Sequence, residues 1–402
     1  MTPGASTNTQ AITAPLAAIT GPEYVRAWSG AIGVAPANTE EVGAILRFAH
    51  DNRFTVVPYG AGTKQGWGHP VQPTLMLEMH RLSLLREHTW QDMTCTVEAG
   101  CTWSSMQSAL VQHGQWVGLD PLWPGRATVG GIVATNDSGA LRLRYGGLRD
   151  LIIGMTIVLA DGTVAKTGGK VVKNVAGYDL HKLMIGAFGT LGVITSVNFR
   201  LHSIPRCTQS FTFSAPTAEP LGEFLLKLLH EQLSTLSIQL RGTAEGFHLD
   251  IQLASLPEVL RTQADLLESL ARVEGLSAQG AAAEVWDIRQ QQLDQDFACK
   301  ATLLPSEIAP FAESVRALGG ESVTQATGIM MASFPAAAAA GLPQLRRGLE
   351  EASGSLMVLK QPAETSLDCW GTPPDSFPLM REIKRRFDPE SILNPGRFLG
   401  GI

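Results

Sequence analysis

The placement of glycine constrains this chain more than any other feature of its sequence. Its 402 residues include 41 glycines, where an average share of about 7% would give about 28, and they gather between residues 58 and 200. Backbone stripped of side chains can turn sharply and lets a ligand come close. Clustered glycines beside strands therefore point to loops that cradle phosphate with successive N–H groups. Three segments qualify. Pro58-Tyr59-Gly60-Ala61-Gly62-Thr63 leaves a predicted strand at Phe54–Pro58. A dinucleotide site of the Rossmann type needs a helix directly after such glycines. Here Lys64-Gln65-Gly66-Trp67-Gly68-His69-Pro70 follows, too rich in glycine and proline for a helix. Taken alone, this segment could equally be a plain tight loop. The second segment, Ala127–Gly139, surrounds Val129, Gly130 and Gly131 with the hydrogen-bonding side chains of Thr128, Thr135, Asn136 and Ser138. The third, Gly186–Thr195, brings Gly189, Thr190, Gly192, Val193 and Ile194 into a strand. Three clusters in one α/β stretch point to a single extended, phosphate-bearing ligand.

Composition removes several classes. Hydrophobic residues make up 44% and charged residues 17%, a globular balance that excludes a disordered chain. At about 150 residues per domain, the length predicts two to three domains. A net charge of −6 without runs of either sign argues against nucleic-acid binding. Cys95, Cys101, Cys207, Cys299 and Cys369 form no Cys-x-x-Cys pair, which argues against a disulfide scaffold and fits a reducing compartment. The nine histidines are scattered, none three or four residues from another, so no metal site is expected. No window approaches the ~18 apolar residues of a membrane span. Residues 1–20 lack the basic and apolar regions of a signal peptide and read as a loose tail.

Residues 21–205 alternate strands and helices. Asn38 with Glu41 three positions on makes a capping-box-like helix start, and Val42, Ile45, Leu46 and Ala49 follow at helical spacing. Strands are predicted at Leu75–Met79, Thr94–Ala99, Ile152–Leu159 and Val193–Leu201, with a hairpin turn at Asp161-Gly162 and a helix at Trp103–His113. Residues 206–375 differ in texture. Phe247, Leu249, Ile251 and Leu253 alternate with polar residues as in a half-buried strand. Leu221, Phe224, Leu225 and Leu228 mark a core-facing helix. Strands recurring around helices predict an α+β domain with an antiparallel sheet. The tail 376–402 carries an amphipathic helix and then Leu393-Asn394-Pro395-Gly396-Arg397, a fixed turn.

These segments, with Gly168-Gly169-Lys170-Val171-Val172-Lys173-Asn174-Val175-Ala176-Gly177-Tyr178-Asp179-Leu180 between them, occur in an order that resembles the vanillyl-alcohol-oxidase (PCMH-type) FAD-binding flavoproteins. Within that family the 168–180 run is most similar to the E-type subunits of bacterial glycolate oxidases. The resemblance covers about residues 20–402, densely over 55–200. It implies the fold class α+β, with a PCMH-type FAD-binding domain of two subdomains over 21–205, an α+β cap domain over 206–375, and the C-terminal segment 376–402 returning to the FAD site. It implies that Pro58, Tyr59, Gly60, Ala61, Gly62, Thr63, Thr128, Val129, Gly130 and Gly131 hold the pyrophosphate side. Thr135, Asn136 and Ser138 then flank the ribityl–flavin side, Gly189, Thr190, Gly192, Val193 and Ile194 run beside the adenosine, and Asn394 closes the flavin end.

Two departures from the family matter. The histidine by which some relatives tether FAD is missing from Gly62-Thr63-Lys64. His69 lies nearby but before Pro70, so the FAD is expected to be non-covalent. The His-x-Gly-Asp-Gly-Asn segment of relatives that oxidise 2-hydroxy acids alone is also missing. After residue 205 the only histidines are His230 and His248, which read as ordinary side chains. No catalytic residue is assigned, because Lys173, Asp179 and Arg397 are candidates by position only. The resemblance implies partners: a homologous FAD-binding D subunit and an iron–sulfur F subunit of a glycolate-oxidising complex. It also implies a bacterial cytoplasm as location, with any hold on the inner membrane supplied by those partners. A self-sufficient flavin enzyme of another alcohol or acid, and a scaffold that has lost FAD, remain the alternatives.

Overall fold

Asn38 begins its helix as its spacing to Glu41 requires. Its side chain accepts the Glu41 N–H at 2.8 Å, and Glu41 Oε2 accepts the Ala37 N–H at 2.7 Å, satisfying donors the helix start would otherwise leave bare. The helix Thr39–Asn52 buries Val42, Ile45, Leu46 and Ala49 and ends at Arg53 in the left-handed region. A computed structural model describes residues 4–170, 178–281 and 283–402.

Three larger sheets organise the described residues, beside a two-stranded pairing of Gln115–Trp116 with His202–Ser203. The first has four strands in the order Val25–Trp28, Ala31–Val34, Leu75–Glu78, Val56–Tyr59, and is parallel across its last two pairings. The second has five antiparallel strands ordered Leu85–Thr89, Thr94–Glu98, Val193–Arg200, Ile152–Val158, Val164–Gly168. These two sheets are the two subdomains expected of residues 21–205, and Gly162 supplies the predicted hairpin turn.

The third sheet has eight antiparallel strands from Cys207–Ala215 to Ser355–Lys360. Its two faces differ in chemistry. Phe213, Leu249, Ile251, Leu240, Phe297 and Phe334 are fully buried under the helices Glu219–Leu228, Pro257–Val273, Ile308–Ala317 and Leu342–Glu351. Each such side chain taken out of water contributes about 1.5–3 kcal/mol. Residues of opposite parity, among them Gln325, Met331, Ala298 and Lys300, turn toward the first two sheets. The alternation predicted for Phe247–Leu253 divides the cap's own core from a polar face on which Asp250 accepts from Thr212, Gln239 and Arg241.

Three sequence expectations need correction or completion. Residues Gly4–Thr20 form a helix rather than a loose tail. Ile12, Leu16 and Ile19 lie at helical spacing, and Leu16 is wholly buried against the first core, so a short apolar stripe outweighs the polar composition around it. The strands Val25–Trp28, Ala31–Val34, Leu85–Thr89 and Glu321–Gln325 carry no period strong enough to announce them. Of the run 168–180, residues 171–177, including Lys173, lie outside the described residues.

The C-terminal segment returns to the first sheet. After the helix Phe377–Phe387, Ile392 O accepts the Val56 N–H at 2.8 Å and the Asn394 N–H donates to Val56 O at 3.0 Å. The anchor is Lys384, whose buried ammonium donates to Thr190 O at 2.8 Å, Asp388 Oδ2 at 2.6 Å and Leu393 O at 2.9 Å. Asp388 in turn accepts the Ile392 and Leu393 N–H groups. Removing one partner of such a buried pair leaves the other uncompensated. Asp388→Ala is therefore expected to cost about 3–5 kcal/mol and to release the 388–397 segment, read as a lowered thermal midpoint together with raised hydrogen exchange at residues 388–397.

Candidate functional site

A cleft of about 820 Å³, open mouth included, runs between the first two sheets. Its walls are largely backbone, supplied by the loops after Val56–Tyr59 and Ile185 and by the short helix Val129–Ala134. Gly62 takes φ +73, a left-handed conformation that turns the chain back toward Tyr59. The N–H groups of Ala61, Gly62 and Thr63 have no acceptor among the described residues, as a phosphate cradle requires. Thr128 caps the short helix through Oγ1. A Cβ on Gly131 would meet nothing nearer than Thr128 Oγ1 at 3.3 Å, whereas one on Gly130 would lie 2.9 Å from Ala99 Cβ. Gly131 therefore keeps space open in the cleft, while Gly130 allows the helix to pack on the second sheet.

The structure brings Pro58, Tyr59, Gly60, Ala61, Gly62, Thr63, Thr128, Gly130, Gly131, Thr135, Gly189, Gly192, Val193, Ile194 and Asn394 together on the cleft walls. Val129, Asn136, Ser138 and Thr190 stand off them. Val129 is fully buried in the second core, and Thr190 faces inward, its carbonyl bound by Lys384. Asn136 and Ser138 turn toward the cap, where Lys300 Nζ donates to Asn136 O at 3.0 Å and Gln325 Nε2 to Ser138 O at 2.9 Å. Lys64, Phe188 and Arg397 also line the cleft. The one signal for Lys64 was a cation embedded among glycines. Phe188 has no local signal.

Of the positional candidates, Asp179 is exposed and paired with Lys182 at 2.7 Å. Arg397 donates to Trp67 O, Lys64 O and Gln65 O, clasping the first glycine loop from behind, and burial draws its guanidinium down to about 10. His69 faces Asp368 at 3.1 Å, and His248 contacts Ser214 Oγ on the cap.

Between the cleft and the cap lies a buried charged cluster. Asp137 Oδ2 accepts the Leu122 N–H at 2.8 Å and lies 3.1 Å from Lys64 Nζ in ion-pair contact. Its Oδ1 is 3.2 Å from Arg289 Nη1. Burial by itself would raise the Asp137 carboxyl, but Lys64, Arg289 and Lys300 hold it below the ordinary aspartate value. Burial lowers the Lys64 ammonium, with Asp137 opposing it. Asp120, which accepts the Gly139 and Leu141 N–H groups, is pushed up to about 6 by burial, against the pull of Arg289.

A backbone-walled cleft with free amides, open space at Gly131 and an unpartnered buried Asn394 Oδ1 fits an elongated dinucleotide such as FAD. A family model of the FAD binding domain matches residues 31–168. The chain is similar to a mitochondrial cytochrome D-lactate dehydrogenase of Arabidopsis thaliana, at 31% identity over 67% of this chain and 50% of the relative. It also resembles the glycolate oxidase subunit GlcD of Bacillus subtilis, at 37% identity over 43% of this chain and 37% of that subunit. A D-lactate dehydrogenase of Archaeoglobus fulgidus is 29% identical over 92% of both chains. The chain thus spans half or less of the length of the first two relatives. Among solved structures, substrate-bound p-cresol methylhydroxylase superposes with a TM-score of 0.76 at 15% identity, covering 99% of this chain and 97% of that one. The fold is accordingly the PCMH-type FAD-binding fold, with mixed helices and antiparallel sheets. The cofactor is FAD.

Gly131→Val is expected to abolish FAD content, measured by absorbance after denaturation, while circular dichroism stays near wild type. Gly130→Val should unfold or aggregate, because its side chain strikes the second sheet rather than the cleft. Asp120 gives a pH test. Its folded-state value lies above that of an exposed aspartate, so its contribution to stability is complete below about pH 4 and is lost as the pH rises through about 6. Asp120→Asn should therefore gain thermal midpoint relative to wild type as the pH rises from 4 to 8. A constant offset between the two across that range would show that Asp120 does not titrate in the fold.

Proposed function

We propose that this chain is the FAD-binding subunit of a multi-subunit glycolate oxidase or dehydrogenase. It would oxidise glycolate, with D-lactate as the alternative, to the 2-oxo acid and pass electrons to an iron–sulfur partner. The observation that carries this reading is a glycine-walled cleft with Lys64 and Arg397 on its walls and no aspartate, glutamate or histidine among its lining residues. The relatives named for glycolate and D-lactate oxidation support the substrate class.

FAD, when bound, supplies the redox chemistry by accepting a hydride. The chain's own residues bind and orient. The 60–63 loop and Gly131 accommodate the phosphates, Asn394 closes one end, and the apolar cluster of Trp67, Leu122, Phe188, Met331 and Leu359 keeps water from the junction with the cap. A general base must reach the proton with a free acceptor. Asp137 has both oxygens engaged by cations and an N–H group. Lys300, brought down by burial to about 8, is still protonated at pH 7. Among the described residues no group of three or more His, Cys, Asp or Glu could hold a metal ion, and the five cysteines are free. Proton acceptor and onward electron carrier are thus assigned to partner subunits in a bacterial cytoplasm. No described helix is long and apolar enough to cross a membrane.

The attachment of FAD is read as non-covalent, since the only histidine close to the first loop points at Asp368. Acid precipitation should leave the yellow colour in the supernatant, and flavin remaining in the pellet would overturn that assignment. The isolated, FAD-loaded chain should reduce dye only slowly with glycolate and gain activity on co-expression with the D- and F-type subunits. Full turnover by the lone chain, unchanged by partners, would instead identify a self-sufficient dehydrogenase.

A further inference from the structure

We propose that the cap helix Pro257–Val273 is the surface through which two copies of this chain associate, the two helices running antiparallel about an axis beside Leu266. The inference is independent of the substrate reading above. This helix carries two apolar stripes rather than one. Leu260, Ala264, Leu267 and Ala271 are buried against the cap core. Val259, Leu266 and Val273 form a second stripe turned away from it, each seven residues from the next and 43%, 39% and 75% exposed. Thr262 and Ser269 stand between them, also exposed. Large apolar residues every seven positions, each followed three residues on by a second contact position, are the a and d pattern of a paired helix. From Val259 to Val273 the stripe covers about 21 Å, two complete heptads. Scattered apolar side chains are ordinary on a protein surface, but an aligned row of this length marks a contact surface.

Side-chain size and charge select a second copy as the occupant and fix its direction. In an antiparallel pair the a residues of one helix pack on the d residues of the other. Leu266 of each copy then meets Thr262 of the other, and Val259 meets Ser269, large against small at every layer. A parallel pair would set Thr262 on Thr262 and Ser269 on Ser269, leaving two hollow layers. The charges agree. Glu258, Asp265 and Arg272 occupy the g positions beside the stripe, and antiparallel packing brings the g positions of two copies together. Glu258 of each copy faces Arg272 of the other, an ion pair made twice, while the two Asp265 carboxylates meet at the axis. In a parallel pair Glu258 and Asp265 would face Gln263 and Leu270, with no ion pair. These charges are free to take an outside partner. Among the described residues none of Glu258, Asp265 and Arg272 has an opposite charge within 4.0 Å, although Glu268 stands four positions before Arg272 in the same helix.

One helix from each copy makes a contact at the small end of specific interfaces, below about 1,200 Å². A reversible dimer with a micromolar equilibrium is therefore expected rather than a permanent one. The helix covers the face of the cap sheet opposite the one turned toward the first two sheets, so association leaves the FAD cleft open.

The test is sedimentation velocity of the FAD-loaded chain over a range of concentrations. Wild type should pass from monomer to dimer in the micromolar range. Leu266→Glu should stay monomeric throughout, with FAD content and thermal midpoint near wild type, because Leu266 lies outside the cap core. Glu258→Arg and Arg272→Glu should each weaken association about tenfold. The double variant should recover wild-type affinity, since the same pairs re-form with their signs exchanged. Asp265→Asn should tighten the dimer, a gain that misfolding does not produce. A wild-type chain that remains monomeric up to about 200 µM would overturn the proposal, as would a dimer that survives Leu266→Glu. A double charge variant as weak as its single parents would overturn the antiparallel pairing of two copies.

Discussion

Three separate parts of the chain meet on the carboxylate of Asp137: the first glycine loop through Lys64, the 120–122 turn through the Leu122 N–H, and the cap through Arg289. An ionised carboxylate with 2% of its side chain exposed is tolerable only if all of these donors are present together. The requirement is mutual. Lys64 and Arg289 are themselves buried and would be uncompensated without the aspartate. The Asp137 contact is thus one of the points that hold the cap over the FAD domain, beside the Lys300–Asn136 and Gln325–Ser138 hydrogen bonds and the apolar cluster around Trp67 and Phe188.

From that point the two halves divide their labour. The first two sheets contribute shape: loops with little side chain, a short helix end, and a cleft whose dimensions follow from where glycine permits close approach. The third sheet contributes chemistry, because one of its faces is committed to a helix-covered core and the other is free to carry polar and cationic groups. An antiparallel sheet allows this, since successive residues point to opposite sides. The cap face can consequently change its side chains without disturbing the core that keeps it folded. Relatives named for different substrates are compatible with such an arrangement.

Much of this was legible in the sequence where the cause is local. The Asn38–Glu41 spacing, the period-two pattern of Phe247–Leu253 and the glycine segments each act within a few residues, and each has the consequence its chemistry implies. The positions that stand off the cleft wall share a different cause. Val129 and Thr190 sit in segments that do form the cleft, but the turn of a helix or loop points individual side chains backwards, and composition does not record direction. The partners Lys64, Asp137, Arg289 and Lys300 lie as far as 236 residues apart, so nothing near any one of them in the sequence announces the others. The N-terminal helix was hidden for a related reason, because its few apolar residues matter only once a core exists to receive them.

The return of the C-terminal segment to Val56 makes the FAD domain discontinuous, with the whole cap placed between its two parts. Asn394 and Arg397 complete walls begun at Pro58, more than 330 positions earlier. During synthesis the first two sheets must wait, with their cleft unfinished, until the cap and the 388–397 segment have left the ribosome. Contacts of such sequence separation form late. FAD capture then becomes the closing event of assembly, and a flavin-loaded chain is one whose two ends have already met.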